Sequence, residues 1–436
     1  MNFIKHLSKT NAADALLKRF LSYVSNWTTS DSVAADNGVQ PSTEQQRIFA
    51  GVLEAELKAL GVSDITITDH AYVCARIPAT AGLEKVPAVC FLAHMDTVEE
   101  VDGRNVQPQV FKNYDGGIIS LNGGTVIDPA QDKFLAESAG DTIITSDGTT
   151  LLGADDKAGI AIIMTGIAEI ISAGIPHGEL EIVFSPDEET GHGMDNVPLG
   201  WFHSTQCYTF DGGHAGEIEI ECFNAYKAES EFTGKAKHTG TARPDMVNAV
   251  SMASSFVQIL PPGERPETTD GRQGFYAPME ISGHIESAKV VLFLRDFDTE
   301  GMERRISVVR QLAAATASQY TGGSADVKIT QQYLNMYQKI QKNPLVAEIL
   351  KKALLNTGIE PKLVPIRGGT DGSRLTELGL PTPNIFTGGH NFHSKSEWAS
   401  LSQMVCAEEV LVELVKLWAE QKSNKPVFCH AKNLSF

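Results

Sequence analysis

Apolar residues recur along the first 220 residues of this chain with two alternating spacings. Spacings of three and four residues predict amphipathic helices over residues 11–25, 43–60 and 156–173. Short apolar runs between them predict strands at residues 65–68, 72–77, 86–93, 180–185 and 207–210. Strands that alternate with helices are typical of an α/β domain with a mixed or parallel sheet.

The pattern changes between residues 223 and 334, where strand and helix signals follow the order βαββαβ. Strands are predicted at residues 227–234, 277–284, 288–297 and 325–333, and helices at 246–260 and 299–320. This order indicates a ferredoxin-like α+β unit. The α/β pattern then returns, with helices over 344–356 and 402–422 and strands near 361–366 and 384–386. We therefore predict a mixed-sheet α/β domain formed by residues 1–222 and 335–436, which a smaller α+β domain at residues 223–334 interrupts.

Charge and cysteine content narrow the class of protein. The chain has 436 residues and a formal net charge of −18, which argues against nucleic acid or an anionic membrane as a partner and favours cations. No apolar run reaches membrane-spanning length, and charges interrupt the N-terminal stretch, so we expect no signal peptide. The six cysteines form no CxxC pair, which predicts reduced thiols and a cytoplasmic, soluble protein.

Histidine and acidic residues cluster where predicted strands end. His94 follows one strand, Glu189 and Asp211 follow two others, and His393 follows the Gly-rich turn after residue 386. Active residues gather at the carboxyl ends of strands in such sheets. Asp155 lies with Asp156 at a loop-to-helix junction, where one acid alone would be read as a helix N-cap. Because capping does not need the second acid, and one carboxylate can bridge two cations, we interpret Asp155 as a bridging ligand.

The residues at these strand ends can be divided into two metal sites. His94, Asp155 and Asp211 are expected on one ion, and Asp155, Glu189 and His393 on the other. Three protein ligands and a shared water leave each ion open for catalysis. Nitrogen and oxygen ligands without thiolate suit Zn²⁺, and Co²⁺ or Mn²⁺ can substitute.

Two neighbouring acids fit supporting roles at such a site. Asp96 lies two residues after His94 on the same face of the strand, where it can orient the other ring nitrogen of that histidine. A solvated strand end is the alternative for an isolated His-x-Asp pair. Glu188 precedes Glu189 on a turn, so it can remain free as a general base.

Five segments, in order, resemble the motifs of the co-catalytic zinc exopeptidases, a family that includes aminoacylases and the carboxypeptidase G type. They are FLAHMDTV at 91–98, LGADDKAG at 152–159, PDEE at 186–189, FDGG at 210–213 and GGHNFH at 388–393. Residues 241–249 and 367–373 are most similar to the members that remove the N-terminal residue from tripeptides. The resemblance spans residues 10 to 420. It implies two zinc ions per subunit, small peptide substrates, and a smaller domain that acts as a lid and as a possible homodimer interface.

The same resemblance assigns three residues of the smaller domain and its surroundings. His238 is implied to stabilise the tetrahedral oxyanion, although a lone histidine in a polar loop is more often simply exposed. Arg295 and Arg367 are implied to bind the terminal carboxylate of the peptide, because a guanidinium matches a carboxylate bidentately. Surface salt bridges are the alternative for both arginines.

Two positions depart from the family motifs, and two other functions compete. His214 follows the Asp211-Gly-Gly turn, and Ser394 follows His393 where glycine is expected. A related deacylase or carboxypeptidase would use the same metals on N-acyl amino acids or dipeptides. A metal-dependent binding protein without activity would be favoured by loss of the base or of a ligand. Glu188 and all five expected ligands are present, which favours the aminopeptidase.

Overall fold

The computed structural model describes residues 3–7 and 12–421, and the chain forms two compact units. The first contains Met1–Ile220, Lys339–Val364 and Thr370–Phe436, and the second contains Glu221–Gln338 and Pro365–Gly369. The segment Pro365–Gly369 differs from the sequence-based division, which placed it in the larger domain. It belongs to the second unit because Ile366 forms a β-bridge with Cys222.

An eight-stranded mixed sheet forms the centre of the first unit. In spatial order its strands are Asp64–Ile67, Val73–Ile77, Leu180–Ser185, Val89–His94, Cys207–Gly212, Asn384–Phe386, Glu217–Glu219 and Lys362–Leu363. The four neighbours from Leu180–Ser185 to Asn384–Phe386 run parallel. Every residue of Val89–His94 and Leu180–Ser185 is buried, which fits the mainly apolar sequences of these strands. The predicted α/β class with a mixed sheet is confirmed.

Helices cover this sheet close to the predicted positions. Those of the first unit are Ile4–Leu7, Ala12–Val24, Ser32–Asp36, Glu44–Ala59, Lys133–Ala136, Ala154–Ala173, Leu345–Thr357, Asp371–Leu378 and Leu401–Ala419, with Tyr337–Lys342 at the unit boundary. The helix Ala154–Ala173 packs on two central strands and on the helices Ala12–Val24 and Leu401–Ala419. The predicted helix ends at residues 11 and 422 lie outside the described residues.

The stretch 99–148, which we expected to be a long loop, contains short strands. Gln109–Phe111 and Ile143–Thr145 join a four-stranded antiparallel sheet with Trp398–Ser400 and Gly389–His390. A separate hairpin pairs Ile119–Ser120 with Val126–Ile127. Strands of two or three residues are too short to produce an alternating apolar pattern, so the sequence could not reveal them.

The second unit is a four-stranded antiparallel sheet with two helices, in the predicted order βαββαβ. Its elements are the strand Asn224–Thr233, the helix Ala249–Ile259, the strands Phe275–His284 and Ser287–Asp296, the helix Thr299–Ser318 and the strand Ser324–Tyr333. In space the strands follow the order second, third, first, fourth. One apolar cluster, with Phe232, Phe256 and Leu292 among its fully buried members, holds both helices against the sheet.

The sequence predicts that the chain has no membrane-spanning segment and that its cysteines are reduced. Within residues 3–7 and 12–421, no helix has the length and apolar character needed to cross a bilayer. Five cysteines in these ranges are buried thiols, namely Cys74, Cys90, Cys207, Cys222 and Cys406. The sixth, Cys429, lies outside the described residues.

Candidate metal centre

The fold brings together the five expected metal ligands, which all belong to the first unit. His94 is the last residue of its strand, Asp211 lies near the end of the next strand, and Glu189 lies in the turn Glu188–Thr190. Asp155 lies in the first turn of the helix Ala154–Ala173, and His393 lies in the loop after Gly389–His390. Parallel strands end at one edge of the sheet, and this shared edge explains why residues so distant in sequence meet.

Asp155 lies between two histidines and presents one oxygen to each. Its Oδ1 is 2.9 Å from Nε2 of His94, and its Oδ2 is 3.2 Å from Nε2 of His393. The same nitrogen of His94 lies 3.6 Å from Oδ1 of Asp211, and that of His393 lies 3.0 Å from Oε2 of Glu189. Asp155 therefore lies beside both histidines, with Asp211 near His94 and Glu189 near His393.

The donor set fits a pair of divalent cations. Ligand atoms of His94, Asp155 and Glu189 all lie within 4.8 Å of one another, as do those of His94, Asp156 and Asp211. Among the described residues, the buried Oε1 of Glu189 has no hydrogen-bond donor. Burial and the charge of Asp155 raise the pKa of Glu189 to about 8, and the same causes raise that of Asp211 to about 6. Cations would relieve this crowding of carboxylates.

The pKa values of the two histidines are raised as well. Hydrogen bonds to Asp155 and Glu189 raise the pKa of His393 to about 11. Burial raises the pKa of Asp155, but the hydrogen bonds from His393 and His94 outweigh it and lower that pKa below its usual range. Cations bound to these histidines would take the place of such protons.

Asp96 supports both the histidine and the glutamate turn. Its buried carboxylate accepts hydrogen bonds from the backbone N–H groups of Glu188 at 3.0 Å and Glu189 at 3.1 Å. Its Oδ1 lies 3.3 Å from Nδ1 of His94. Asp96 thus contacts His94 at the end of its strand and also holds the turn that contains Glu188 and Glu189.

Glu188 lies in this turn next to the predicted ligands. Burial raises its pKa well above the usual range, and the charges of Asp211, Asp371 and Glu189 act in the same direction, while His94 opposes them. A carboxylate with a raised pKa can both accept a proton and return it near neutral pH.

Sequence patterns did not identify Glu397, which holds the loop before Asp155. Its fully buried carboxylate accepts hydrogen bonds from the N–H groups of Leu152 at 2.7 Å, Gly153 at 2.8 Å and Asp155 at 3.2 Å. Burial raises its pKa to about 7. Because Glu397 lies four residues after His393, it connects the two ligand-bearing loops. A single acid without a motif gives no signal for this role in the sequence.

Asp156 and Gly159 shape the start of the following helix. Asp156 is 1% exposed and accepts hydrogen bonds from the N–H groups of His94 at 3.2 Å and Gly159 at 3.1 Å. A Cβ at Gly159 would lie 2.0 Å from the carbonyl oxygen of Phe210. The peptide bond between Asp155 and Asp156 is cis.

The loop that carries His393 is fixed by Ser394 and Asp132. The Ser394 hydroxyl, at the position where glycine was expected, donates to the carbonyl of Asn391 at 2.6 Å. The Asn391 side chain donates to Asp132 at 3.0 Å, and Asp132 also accepts from the indole of Trp398 at 2.8 Å. The second departure, His214, is buried and stacks on Phe134 with ring centroids 4.1 Å apart.

The remaining three predicted residues lie in the second unit. His238 is exposed and accepts a hydrogen bond from the N–H of Gly240. Arg295 is 9% exposed, and its guanidinium donates to the carbonyl of Leu294 at 3.0 Å. Arg367 donates to the carbonyls of Gly271 at 2.8 Å and Gln273 at 3.0 Å, so it fastens a loop of its own unit.

Comparison with known proteins identifies the family. Residues 147–417 match the model of peptidase family M20/M25/M40. Peptidase T of Geobacillus thermodenitrificans is 45% identical over 412 residues, which cover 94% of this chain and 99% of that protein. Peptidase T of Listeria welshimeri is 44% identical and is covered completely.

Solved structures share the fold at lower identity. The aminopeptidase PepT of Bacillus cereus superposes with a TM-score of 0.73 at 23% identity, over 94% of this chain and 99% of that one. A tripeptidase of Staphylococcus aureus gives a TM-score of 0.75 at 21% identity, with the same coverage. With its whole-length similarity to peptidase T and its ligand set at the strand ends, this chain belongs to peptidase family M20/M25/M40.

Proposed function

We propose that this protein is a di-zinc aminopeptidase that removes the N-terminal residue from tripeptides. The observation that carries the proposal is the position of Asp155, with one oxygen near His94 and the other near His393. That arrangement fits one carboxylate shared by two ions, with Asp211 and Glu189 completing the groups. Zinc ions held there would polarise a peptide carbonyl and acidify water, and Co²⁺ or Mn²⁺ would serve the same ligands.

The protein's own residues supply the proton transfers. Glu188 takes a proton from the attacking water and passes it to the amine that leaves when the peptide bond breaks. Asp96 keeps this turn and His94 in register through the hydrogen bonds and contact described above. His238 is proposed to stabilise the negatively charged oxygen that develops on the substrate.

Substrate class follows from the relatives and from the arginines. The relatives that cover this chain are named peptidase T, and one solved structure is titled a tripeptidase. Arg295 and Arg367 are proposed to bind the free carboxylate of a short peptide. The carbonyl contacts of Arg367 give it a competing structural role.

Assembly and location complete the proposal. Phe275–His284 is an edge strand of the second unit, and its exposed residues include Met279 at 56% and Ile281 at 53%. An uncovered edge is a template for pairing with another chain, which supports a homodimer through this unit. The buried thiols support a cytoplasmic location, where cysteines stay reduced.

A peptide panel tests the activity directly. The zinc-loaded protein should release the N-terminal residue from free tripeptides, and it should cleave dipeptides, tetrapeptides and N-blocked tripeptides much less. Preferential hydrolysis of N-acyl amino acids would assign a deacylase, and cleavage from the C-terminus would assign a carboxypeptidase. Binding of peptides without turnover of any of them would indicate a binding protein.

Metal analysis of three variants tests the bridging ligand. Asp155→Ala should lose both metal equivalents, because both ions depend on this carboxylate. His94→Ala should weaken mainly one site and His393→Ala the other. If Asp155→Ala loses a single equivalent, Asp155 does not bridge.

A further inference from the structure

A second support, separate from Asp96, holds the residue before the two glutamates. Asp187, directly before Glu188, has a left-handed backbone with φ of 58° and is fully buried. Its carboxylate accepts hydrogen bonds from the N–H of Ser42 at 2.8 Å and from the Ser42 hydroxyl. A residue other than glycine is uncommon in this conformation, so surrounding contacts must fix it.

Gln46 provides the most specific of these contacts. Its Nε2 donates to Oδ1 of Asp187 at 2.6 Å, and its Oε1 accepts from the backbone N–H of Asp187 at 3.0 Å. The amide thus exchanges two hydrogen bonds with one residue, and both side chains are fully buried. Gln46 is on the helix Glu44–Ala59, more than a hundred residues earlier in the chain.

The two supports act on different atoms of one short turn. Asp96 binds the N–H groups of Glu188 and Glu189, whereas Gln46 fixes the backbone and carboxylate of the preceding residue, Asp187. With φ and N–H of Asp187 fixed, the direction in which the chain enters Glu188 is fixed as well. Loss of Gln46 leaves Asp96 in place but releases this end of the turn.

We propose that Gln46 is a positioning residue for the reaction, which acts through Asp187 to set the orientation of Glu188 and Glu189. The inference rests on the proposed function, in which Glu188 is the base and Glu189 a metal ligand. Gln46 itself contacts neither of these side chains, and no catalytic motif surrounds it in the sequence.

The first test compares Gln46→Met with Gln45→Met. Methionine has nearly the size of glutamine but cannot make either hydrogen bond, and Gln45 is the adjacent residue on the same helix. Gln46→Met should lower kcat for a free tripeptide by about tenfold to a hundredfold, the effect of a small misplacement of a catalytic group, with KM little changed. Chelator competition should show weaker binding of one cation, and Gln45→Met should behave as the wild type in both measurements.

The second test exchanges the donor and acceptor roles of the side chains at positions 46 and 187. In Gln46→Glu combined with Asp187→Asn, the new asparagine amide can donate to the new glutamate, which can still accept from the N–H of residue 187. The double variant has the same net charge as the wild type. It should recover most of the kcat that Gln46→Glu alone loses, because the single variant brings two acceptor oxygens together.

The outcomes separate this inference from the proposed function. A wild type that hydrolyses no tripeptide contradicts the proposed function. An active wild type together with a Gln46→Met protein as active as Gln45→Met overturns the role of Gln46 alone. If Gln46→Met does not fold, the reversed pair decides: recovered turnover supports positioning, and a folded but inactive double variant overturns it.

Discussion

At the scale of single residues, the two adjacent glutamates of the turn 188–190 are proposed to have different roles. Glu189 contacts His393, and Glu188 is the proposed base. Glu188→Gln should retain both metal equivalents and lose at least about a hundredfold in kcat, because the amide keeps the shape but cannot accept a proton. Metal analysis and steady-state kinetics on a tripeptide provide the check. A loss below about tenfold with intact metal content would show that another group is the base.

His214 should make stability depend on pH. Burial and the nearby positive charge of Lys362 lower its pKa to about 4, whereas an unfolded histidine titrates near 6.5. Between these values the unfolded chain binds a proton that the folded protein excludes. The unfolding free energy that depends on neutral His214 is therefore fully present above pH 6.5, and it is lost as the pH falls towards 4.

The variant His214→Phe should reduce this pH dependence. Phenylalanine can keep the stacking on Phe134, and the neutral histidine leaves its buried Nδ1 without a partner. Between pH 7 and pH 5 the wild type should lose about 1 to 2 kcal/mol more unfolding free energy than the variant, the lower figure allowing for solvent in the neighbouring cavity of about 450 Å³. Urea unfolding at the two pH values measures the difference, and parallel losses would exclude His214 as the cause.

The expected metal ligands could be named from the sequence because each stands in a local motif next to a strand or helix signal, and their role as ligands stays a prediction. The residues that hold these expected ligands in place could not be identified from the sequence. Glu397 and Gln46 carry out their roles through contacts with segments 242 and 141 residues away, respectively. Nothing in the neighbouring residues distinguishes such a side chain from an ordinary helix or loop residue. The grouping of Asp155 with both histidines is seen in the structure, and its function as a bridge stays a prediction.

At the scale of elements, the helix Ala154–Ala173 lies unusually close to the sheet at Gly159. A methyl group there would meet the carbonyl of Phe210 at 2.0 Å and the Asp156 carboxylate at 2.5 Å. Gly159→Ala should therefore cost about 1 to 3 kcal/mol of unfolding free energy and weaken metal binding, because the helix that carries Asp155 must move. Gly51→Ala is the matched control in the helix Glu44–Ala59, where nothing lies within 4 Å.

The control should behave in the opposite way. Alanine is the better helix former by up to about 1 kcal/mol, so Gly51→Ala should be neutral or stabilising. Urea unfolding of both variants, together with chelator competition, gives the comparison. If Gly159→Ala were as stable as Gly51→Ala, the close approach of helix and sheet would not limit this position.

Long elements were predictable because their apolar spacing repeats over many residues. The helix Thr299–Ser318 and the strand Leu180–Ser185 lie within two residues of their predicted bounds. The strands Gln109–Phe111 and Ile143–Thr145 were missed because they are short and pair within a sheet that includes Trp398–Ser400, far along the chain. The stretch 99–148 around them is rich in Gly, Asp and Asn, which is typical of a loop.

At the scale of the whole molecule, specificity for short peptides requires a group that recognises the end of the substrate. Arg367→Ala should lower kcat/KM for a free tripeptide by roughly tenfold to a hundredfold more than for the tripeptide amide, as expected for loss of a charge-assisted hydrogen bond of about 1.5–3 kcal/mol. Arg272→Ala removes an exposed arginine of the same unit and serves as the control. Equal losses on both substrates would mean that Arg367 only fastens the loop 269–273.

The sequence predicted the interrupted arrangement of the chain because the order of elements changes twice. It did not predict that Pro365–Gly369 joins the second unit, since this depends on the bridge between Ile366 and Cys222 rather than on any local pattern. The position of the strand Asn384–Phe386 is another feature that only the three-dimensional structure reveals. It lies between Cys207–Gly212 and Glu217–Glu219, although four residues join those two strands.

This strand order has a consequence for the folding of the chain during its synthesis on the ribosome. The edge of Cys207–Gly212 stays uncovered until Asn384–Phe386 has been synthesised, after the entire second unit. At translation rates of about 5 to 20 residues per second, this edge of an apolar strand stays unpaired for roughly 10 to 35 seconds. Such an edge invites pairing with other chains, so a chaperone that shields it should raise the yield of active protein more than one that acts after release. His393 follows this strand, so nascent chains cannot complete the proposed second metal site before the sheet closes.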